Sequence, residues 1–223
     1  LQHGIIKDDL PQLYQEKTKL DMFVCGAKPE YDFISSTFHY KNREVKYTGL
    51  ARYDALNNYL TENQILIMPT WRMYFNNQTN KEIGQSLYVK AWNEVLSNEH
   101  LISKLKEHNL KLFFYPHYEM QKYISMFKSS DDHIVIADFA SYDVQQLLKK
   151  SKLLITDYSS VFFDFAYMLK PCIYYQFDVK DFTERHYGKG YFDYEKDGFG
   201  KVVSDSKTLI EEIVKIINQN FKM

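Results

Sequence analysis

The run LLITDYSSVFFDFAYMLKPCIYYQF, residues 153–177, decides the fold. Residues 153–156 are a short apolar run of strand length and the next four residues form a polar turn. A helix-compatible stretch follows at 161–169, then a second apolar run at 172–177. A strand, a helix and a strand of these lengths make a βαβ unit, whose crossover is right-handed and sets its two strands parallel. The same alternation spreads outward from this unit. Strand-like runs fall at 65–68, 111–115 and 134–137, with a weaker one at 201–203. Helix-length periodic segments fall around 87–108, 119–127, 144–150 and near 207–219. The expected fold is α/β and Rossmann-like: a parallel sheet with helices on both faces. Such sheets hold ligands beyond the carboxyl ends of their strands, so residues just after each strand are the first candidates for function.

The first fifty residues read differently. They carry a turn at Gly4, a strand-like run at 22–27 and a helix near 30–38, too little for a domain of their own. Residues 1–52 are expected to be the tail and hinge of a preceding acceptor-side domain, with the hinge near 47–53, and residues 53–223 the Rossmann-like domain. The chain opens at Leu1 in loop-like sequence, so it is expected to be a piece of a longer protein.

Composition excludes several classes of function. Lys and Arg number 28 against 29 Asp and Glu, so no global field draws a polyanion, and a dedicated nucleic-acid binder is disfavoured. Any phosphate has to be gripped locally. Cys25 and Cys172 lie in separate apolar runs without C-x-x-C spacing, which reads as two reduced core thiols and favours a cytoplasmic setting. No run reaches the roughly 18 apolar residues of a spanning helix. A glycine-rich fingerprint of the dinucleotide or Walker type is missing, as are H-E-x-x-H and D-x-D, so no cofactor and a metal-independent chemistry are expected.

Four places after strands carry candidate residues. In Thr156-Asp157-Tyr158-Ser159-Ser160, backbone amides at a helix start and two hydroxyls suit a phosphate dianion. Asp157 or Ser159 acting simply as a helix cap is the competing reading. His117 follows the 111–115 run after Pro116, and an imidazole there can donate to a phosphate or shuttle a proton; a helix cap or a surface histidine is the alternative. Arg72, in Pro69-Thr70-Trp71-Arg72, offers a planar fork for phosphate, with a surface salt bridge as the other outcome. His3 precedes Gly4, whose missing side chain allows close approach of backbone to a ligand; it could equally be an ordinary loop residue.

Together these segments resemble the CDP-glycerol glycerophosphotransferase family, whose members build teichoic acids and related capsular polymers. The resemblance is carried by Gln2-His3-Gly4-Ile5-Ile6-Lys7-Asp8-Asp9, Thr48-Gly49-Leu50-Ala51-Arg52-Tyr53-Asp54, Ile67-Met68-Pro69-Thr70-Trp71-Arg72, Tyr115-Pro116-His117 and Thr156 through Asp164, in the family's order. It implies the nucleotide-holding half of a GT-B-type transferase that moves a polyol phosphate from a CDP donor to a hydroxyl of a lipid-linked polymer acceptor, releasing CMP. It also implies that His3 is the base toward the acceptor, that His117 stabilises the diphosphate, and that Asp164, seven positions before Pro171, holds the donor ribose. Attachment to the inner face of the membrane would come from parts outside this chain. Many members read Trp-His-Gly-Thr-Pro where this chain has Gln2-His3-Gly4-Ile5-Ile6, so the polyol or acceptor stays open. A GT-B glycosyltransferase using a sugar nucleotide and a non-catalytic nucleotide-binding module remain the other readings.

Overall fold

The computed structural model of the chain describes residues 4–41, 43–57, 59–129, 131–185 and 188–222. The amino-terminal part contains α1 (Gln15–Thr18), β1 (Phe23–Cys25), α2 (Lys28–Thr37) and β2 (Val45–Tyr47). Strands β1 and β2 form a parallel pair under α2, with a small core of Phe23, Cys25, Ile34, Phe38, Tyr40 and Val45. A 3-10 helix, Ala51–Leu56, leads into the larger unit. That unit runs β3 (Gln64–Ile67), α3 (Asn80–Gly84), α4 (Leu87–Leu96), α5 (Glu99–Glu107), β4 (Lys111–Phe114), α6 (Tyr118–Gln121), β5 (Ile134–Ile136), α7 (Val144–Lys150), β6 (Leu153–Thr156), α8 (Phe162–Tyr167), β7 (Cys172–Tyr175), α9 (Val179–Arg185), β8 (Gly200–Val203) and α10 (Ser206–Asn218).

The six strands β3 to β8 form one parallel sheet in the order β5-β4-β3-β6-β7-β8. Every residue of β3, β6 and β7 is buried, because central parallel strands are covered on both faces. Successive side chains alternate between the two layers. Ile65, Ile67, Leu153, Ile155, Ile173 and Tyr175 share one core with α4, α5 and α10. Leu66, Leu154, Cys172 and Tyr174 share the other with α7 and α8. Both thiols are buried and unpaired, as their sequence context indicates.

The expected fold class is the one observed, and local signals account for where several elements begin. The 87–108 segment is two helices, since the Asn98 side chain accepts the Leu101 N–H (2.9 Å) and starts a new one. The weak 201–203 run is a true edge strand. Four short elements, α1, β2, α3 and α9, have no counterpart in the sequence reading.

Residues 5–9 lie across the carboxyl rim of the sheet. Ile5 joins the α7–α8 core, and the buried Glu30 accepts from the N–H groups of Ile6 (2.7 Å) and Gly26 (2.6 Å). The Asp9 N–H donates to Gly188 O (3.1 Å). Gly190 is required here, because a Cβ on it would lie 1.8 Å from the Lys7 carbonyl oxygen. Among the described residues no helix is long and apolar enough to cross a membrane.

Candidate functional site

Strand order reverses between β3 and β6, so the loops leaving their carboxyl ends diverge and open a crevice. The loop after β3 is Met68-Pro69-Thr70-Trp71-Arg72, and the one after β6 is Asp157-Tyr158-Ser159-Ser160. Cross-bonds lock them together. The Met68 N–H donates to Ile155 O (2.9 Å), Thr156 Oγ1 donates to Met68 O (2.7 Å), and Asp157 Oδ1 accepts from Thr70 N (2.8 Å) and Tyr158 N (2.6 Å). Thr156 and Asp157 are thus fully buried and spend their polar groups holding the two loops in register.

Arg72 is the centre of that lock. Its side chain is 0% exposed. Nη1 pairs with Asp157 Oδ2 at 2.9 Å and donates to Thr70 O (2.8 Å), while Nε and Nη2 grip Asp178 at 2.7 and 3.0 Å. The Tyr88, Phe182, Tyr158 and Phe177 rings surround the guanidinium with centroids at 4.9, 5.1, 5.2 and 5.7 Å. Burial works against the charge, but Asp157 and Asp178 outweigh it and the guanidinium pKa stands above its ordinary value. The expectation of a guanidinium facing solvent, whether as a phosphate clamp or as a surface pair, is corrected here. Two carboxylates and four rings from distant segments draw it inward, where a buried cation needs such partners.

The serines occupy the turn before α8. Val161 is the helix N-cap, without a side-chain cap, so neither Asp157 nor Ser159 caps α8. The Ser159 Oγ accepts from Val161 N (3.4 Å), and both serines are partly exposed. Asp164, in the first turn of α8, is 2% exposed and receives a hydrogen bond from Arg52 Nη2. Burial raises its carboxyl to about 6, with the Arg52 guanidinium pulling the other way.

His117 is half-buried at the carboxyl end of β4 and does cap a helix, as one of its readings held: Nδ1 accepts the Glu119 N–H (3.2 Å) at the start of α6. An acceptor Nδ1 leaves the neutral ring's proton on Nε2, the tautomer that donates. The ring stacks on Trp71, 6.1 Å between centroids and 18° from parallel, which joins the β3 and β4 loops. His3 lies outside the described residues. Its neighbour Gly4 is buried against the serine turn: a Cβ there would stand 3.5 Å from Arg52 Nη1 and 3.6 Å from Ser160 Oγ. Gly4, Arg52, Ser160 and Asp164 therefore meet at one place on the rim.

Sequence reasoning passed over Arg52 and Asp178. Asp178 falls just beyond the 172–177 run, where the carboxyl-end rule points; Arg52 lies within a quoted motif but before any strand of the sheet. Among the described residues no group of three or more His, Cys, Asp or Glu side chains is arranged to hold a metal ion.

A six-stranded parallel sheet with this order and a polar turn at its switch point defines a Rossmann-like α/β domain. The family described as CDP-Glycerol:Poly(glycerophosphate) glycerophosphotransferase matches residues 2–223, and the chain belongs to it. It is 36% identical to the minor teichoic acid biosynthesis protein GgaB of Bacillus subtilis (strain 168), over all of this chain and 25% of GgaB. It is 30% identical to the teichoic acid poly(glycerol phosphate) polymerase of Bacillus spizizenii (strain ATCC 23059 / NRRL B-14472 / W23), over 88% of this chain and 45% of that protein. The chain spans less than half the length of both relatives. The fold is similar to that of the wall teichoic acid polymerase TagF, with a TM-score of 0.70 at 20% identity over 98% of this chain and 59% of TagF.

Proposed function

We propose that the protein containing this chain transfers glycerol phosphate, or a related polyol phosphate, from a CDP-activated donor to a hydroxyl of a cell-surface polymer such as teichoic acid, releasing CMP. The observation that carries this reading is the meeting of the His-Gly turn, through Gly4, with Arg52, Ser160 and Asp164 at the switch point of the sheet. Relatives named for teichoic acid synthesis support it.

In this scheme the acceptor oxygen attacks the β-phosphorus of the donor and its proton passes to His3. The bond from the β-phosphorus to the bridging oxygen breaks, and CMP leaves with the electron pair. His117, with its proton on Nε2, donates to the diphosphate, and Ser159, Ser160 and the amides of their turn stabilise the charge that develops on CMP. Asp164 accepts from the donor ribose at Oδ1, while its Oδ2 keeps the hydrogen bond from Arg52. The Arg72–Asp157–Asp178 lock and Thr156 hold the two loops in place, so that little is reorganised during the reaction. The reaction proceeds without a metal or cofactor. The acceptor is lipid-linked, and contact with the inner membrane face is made by segments outside this chain.

The test is turnover by the full-length protein with CDP-glycerol and a primed acceptor. Ser160→Ala is expected to lower the rate about 10²–10³-fold, the usual loss for one anion-hole donor; wild-type turnover in that variant removes the serine pair from the mechanism. Thermal shifts with CDP-glycerol, CDP-ribitol, UDP-glucose and CMP identify the donor, since a ligand at about 100 times its Kd stabilises by roughly 2.7 kcal/mol. A shift with UDP-glucose alone would replace polyol-phosphate transfer by glycosyl transfer.

A further inference from the structure

A nucleoside diphosphate brings concentrated negative charge to the rim, and protein sites meet such charge with a guanidinium or ammonium in hydrogen-bond reach. Arg72 is committed elsewhere, at 0% exposure between Asp157 and Asp178. Arg52 is placed differently. Its side chain is 36% exposed, and it reaches the rim from the 3-10 helix Ala51–Leu56, which packs on α8. One arm of the fork, Nη2, donates to Asp164. The other arm, Nη1, and the Ser160 hydroxyl border the same point beside Gly4, at 3.5 and 3.6 Å from it. A cation, a hydroxyl donor and Gly4 thus border one point on the rim.

We propose that Arg52, aimed by Asp164, is the cation that receives the donor diphosphate beside Ser160. The assignment rests on the CDP-donor reading above and adds to it a residue from the segment joining the two parts of the chain. Asp164 orients the fork, as a buried carboxylate under a half-exposed guanidinium is suited to do, and Nη1 is the arm turned toward the ligand. Because the same guanidinium borders Gly4, diphosphate binding and placement of the segment from Gly4 onward are coupled through one side chain.

The experiment measures binding of CDP, CMP and cytidine to the full-length protein and to its Arg52→Ala and Arg52→Lys variants, with melting temperatures taken alongside. Loss of a charge-assisted hydrogen bond to phosphate is expected to weaken CDP about tenfold or more in Arg52→Ala, while cytidine changes by less than about twofold. Arg52→Lys keeps the charge but not the fork, so it should recover part of the CDP affinity. Raising KCl should weaken CDP binding more in the wild type than in Arg52→Ala. If Arg52→Ala fails to fold, the ratio of CDP to cytidine affinity in Arg52→Lys decides, and a ratio equal to that of the wild type overturns the assignment. It is also overturned if Arg52→Ala binds CDP as the wild type does, or loses CDP and cytidine in equal measure, which would mark Arg52 as a shaper of the ribose pocket. A wild-type protein that binds neither ligand sinks the CDP reading itself and this assignment with it; normal wild-type binding with an indifferent Arg52→Ala sinks only the latter.

Discussion

Replacing Arg72 by methionine should damage stability first and ligand binding only as a consequence. Methionine fills the ring cage, since thioethers lie comfortably against aromatics, so the perturbation is chiefly electrostatic. It strands Asp157 and Asp178, whose side chains are 0% and 2% exposed. Removing one partner of a buried ion pair costs about 3–5 kcal/mol. For a chain of 223 residues, each kcal/mol corresponds to about 2–4 °C, so melting should fall by about 6–20 °C. Asp178→Asn alone should cost less, because Arg72 keeps its pair with Asp157. The double variant Arg72→Met with Asp178→Asn should fall short of the sum, as residues in one network couple. Urea and thermal melts measure all three, and hydrogen exchange at the Thr70 and Tyr158 amides, both bonded to Asp157, reports loosening of the two loops. An Arg72→Met protein that melts within about 2 °C of the wild type but binds CDP poorly would refute this reasoning and return Arg72 to the ligand.

Two further outcomes follow from single residues. Burial lifts the Asp164 carboxyl to about 6 in the folded chain, against about 3.9 when unfolded, so the folded state holds a proton that the unfolded state has already released. Stability should therefore decline as pH rises from about 4 to about 6 and level off above. In Asp164→Asn that decline should be absent, and urea midpoints of the two proteins across this range check it; parallel curves would show that Asp164 does not titrate this way. Leu169 has φ of 54° and is 79% exposed at the end of α8, with its N–H on Ala166 O and the Lys170 N–H on Phe165 O, a turn that favours glycine at this position. Leu169→Gly should relieve left-handed strain and gain about 0.5–1 kcal/mol after the added freedom of the unfolded chain is offset, seen as a rise of about 1–4 °C in Tm; an unchanged or lower Tm would show that the leucine is not strained.

Strand existence was legible because each run is apolar, short and bounded by polar turns, and because parallel strands buried on both faces need continuous apolar sequence. That alone specified a parallel α/β sheet and directed attention to the residues after Ile67, Phe114 and Thr156. Asp143 and Asp205, which accept the Gln146 and Thr208 N–H groups (both 2.8 Å), start α7 and α10 by local chemistry that the sequence reading did not single out. Strand β2 was not legible, since only Val45 of its three residues is buried and no apolar run marks it.

What tertiary structure alone decided is which polar side chains are consumed by the fold and which are offered at its rim. Arg72 and Asp178 are 106 residues apart in sequence, and Arg52 and Asp164 are 112 apart. Each arginine follows a plausible motif, and local sequence cannot tell them apart. The difference arises because β3, β6 and β7 lie side by side, which closes the Tyr88, Tyr158, Phe177 and Phe182 rings over one guanidinium, while the other, on the 3-10 helix beside α8, stays 36% exposed. Side-chain periodicity reports the face on which a residue lies; long-range packing sets the charge and water around it, and these determine whether an arginine holds the scaffold or meets a ligand.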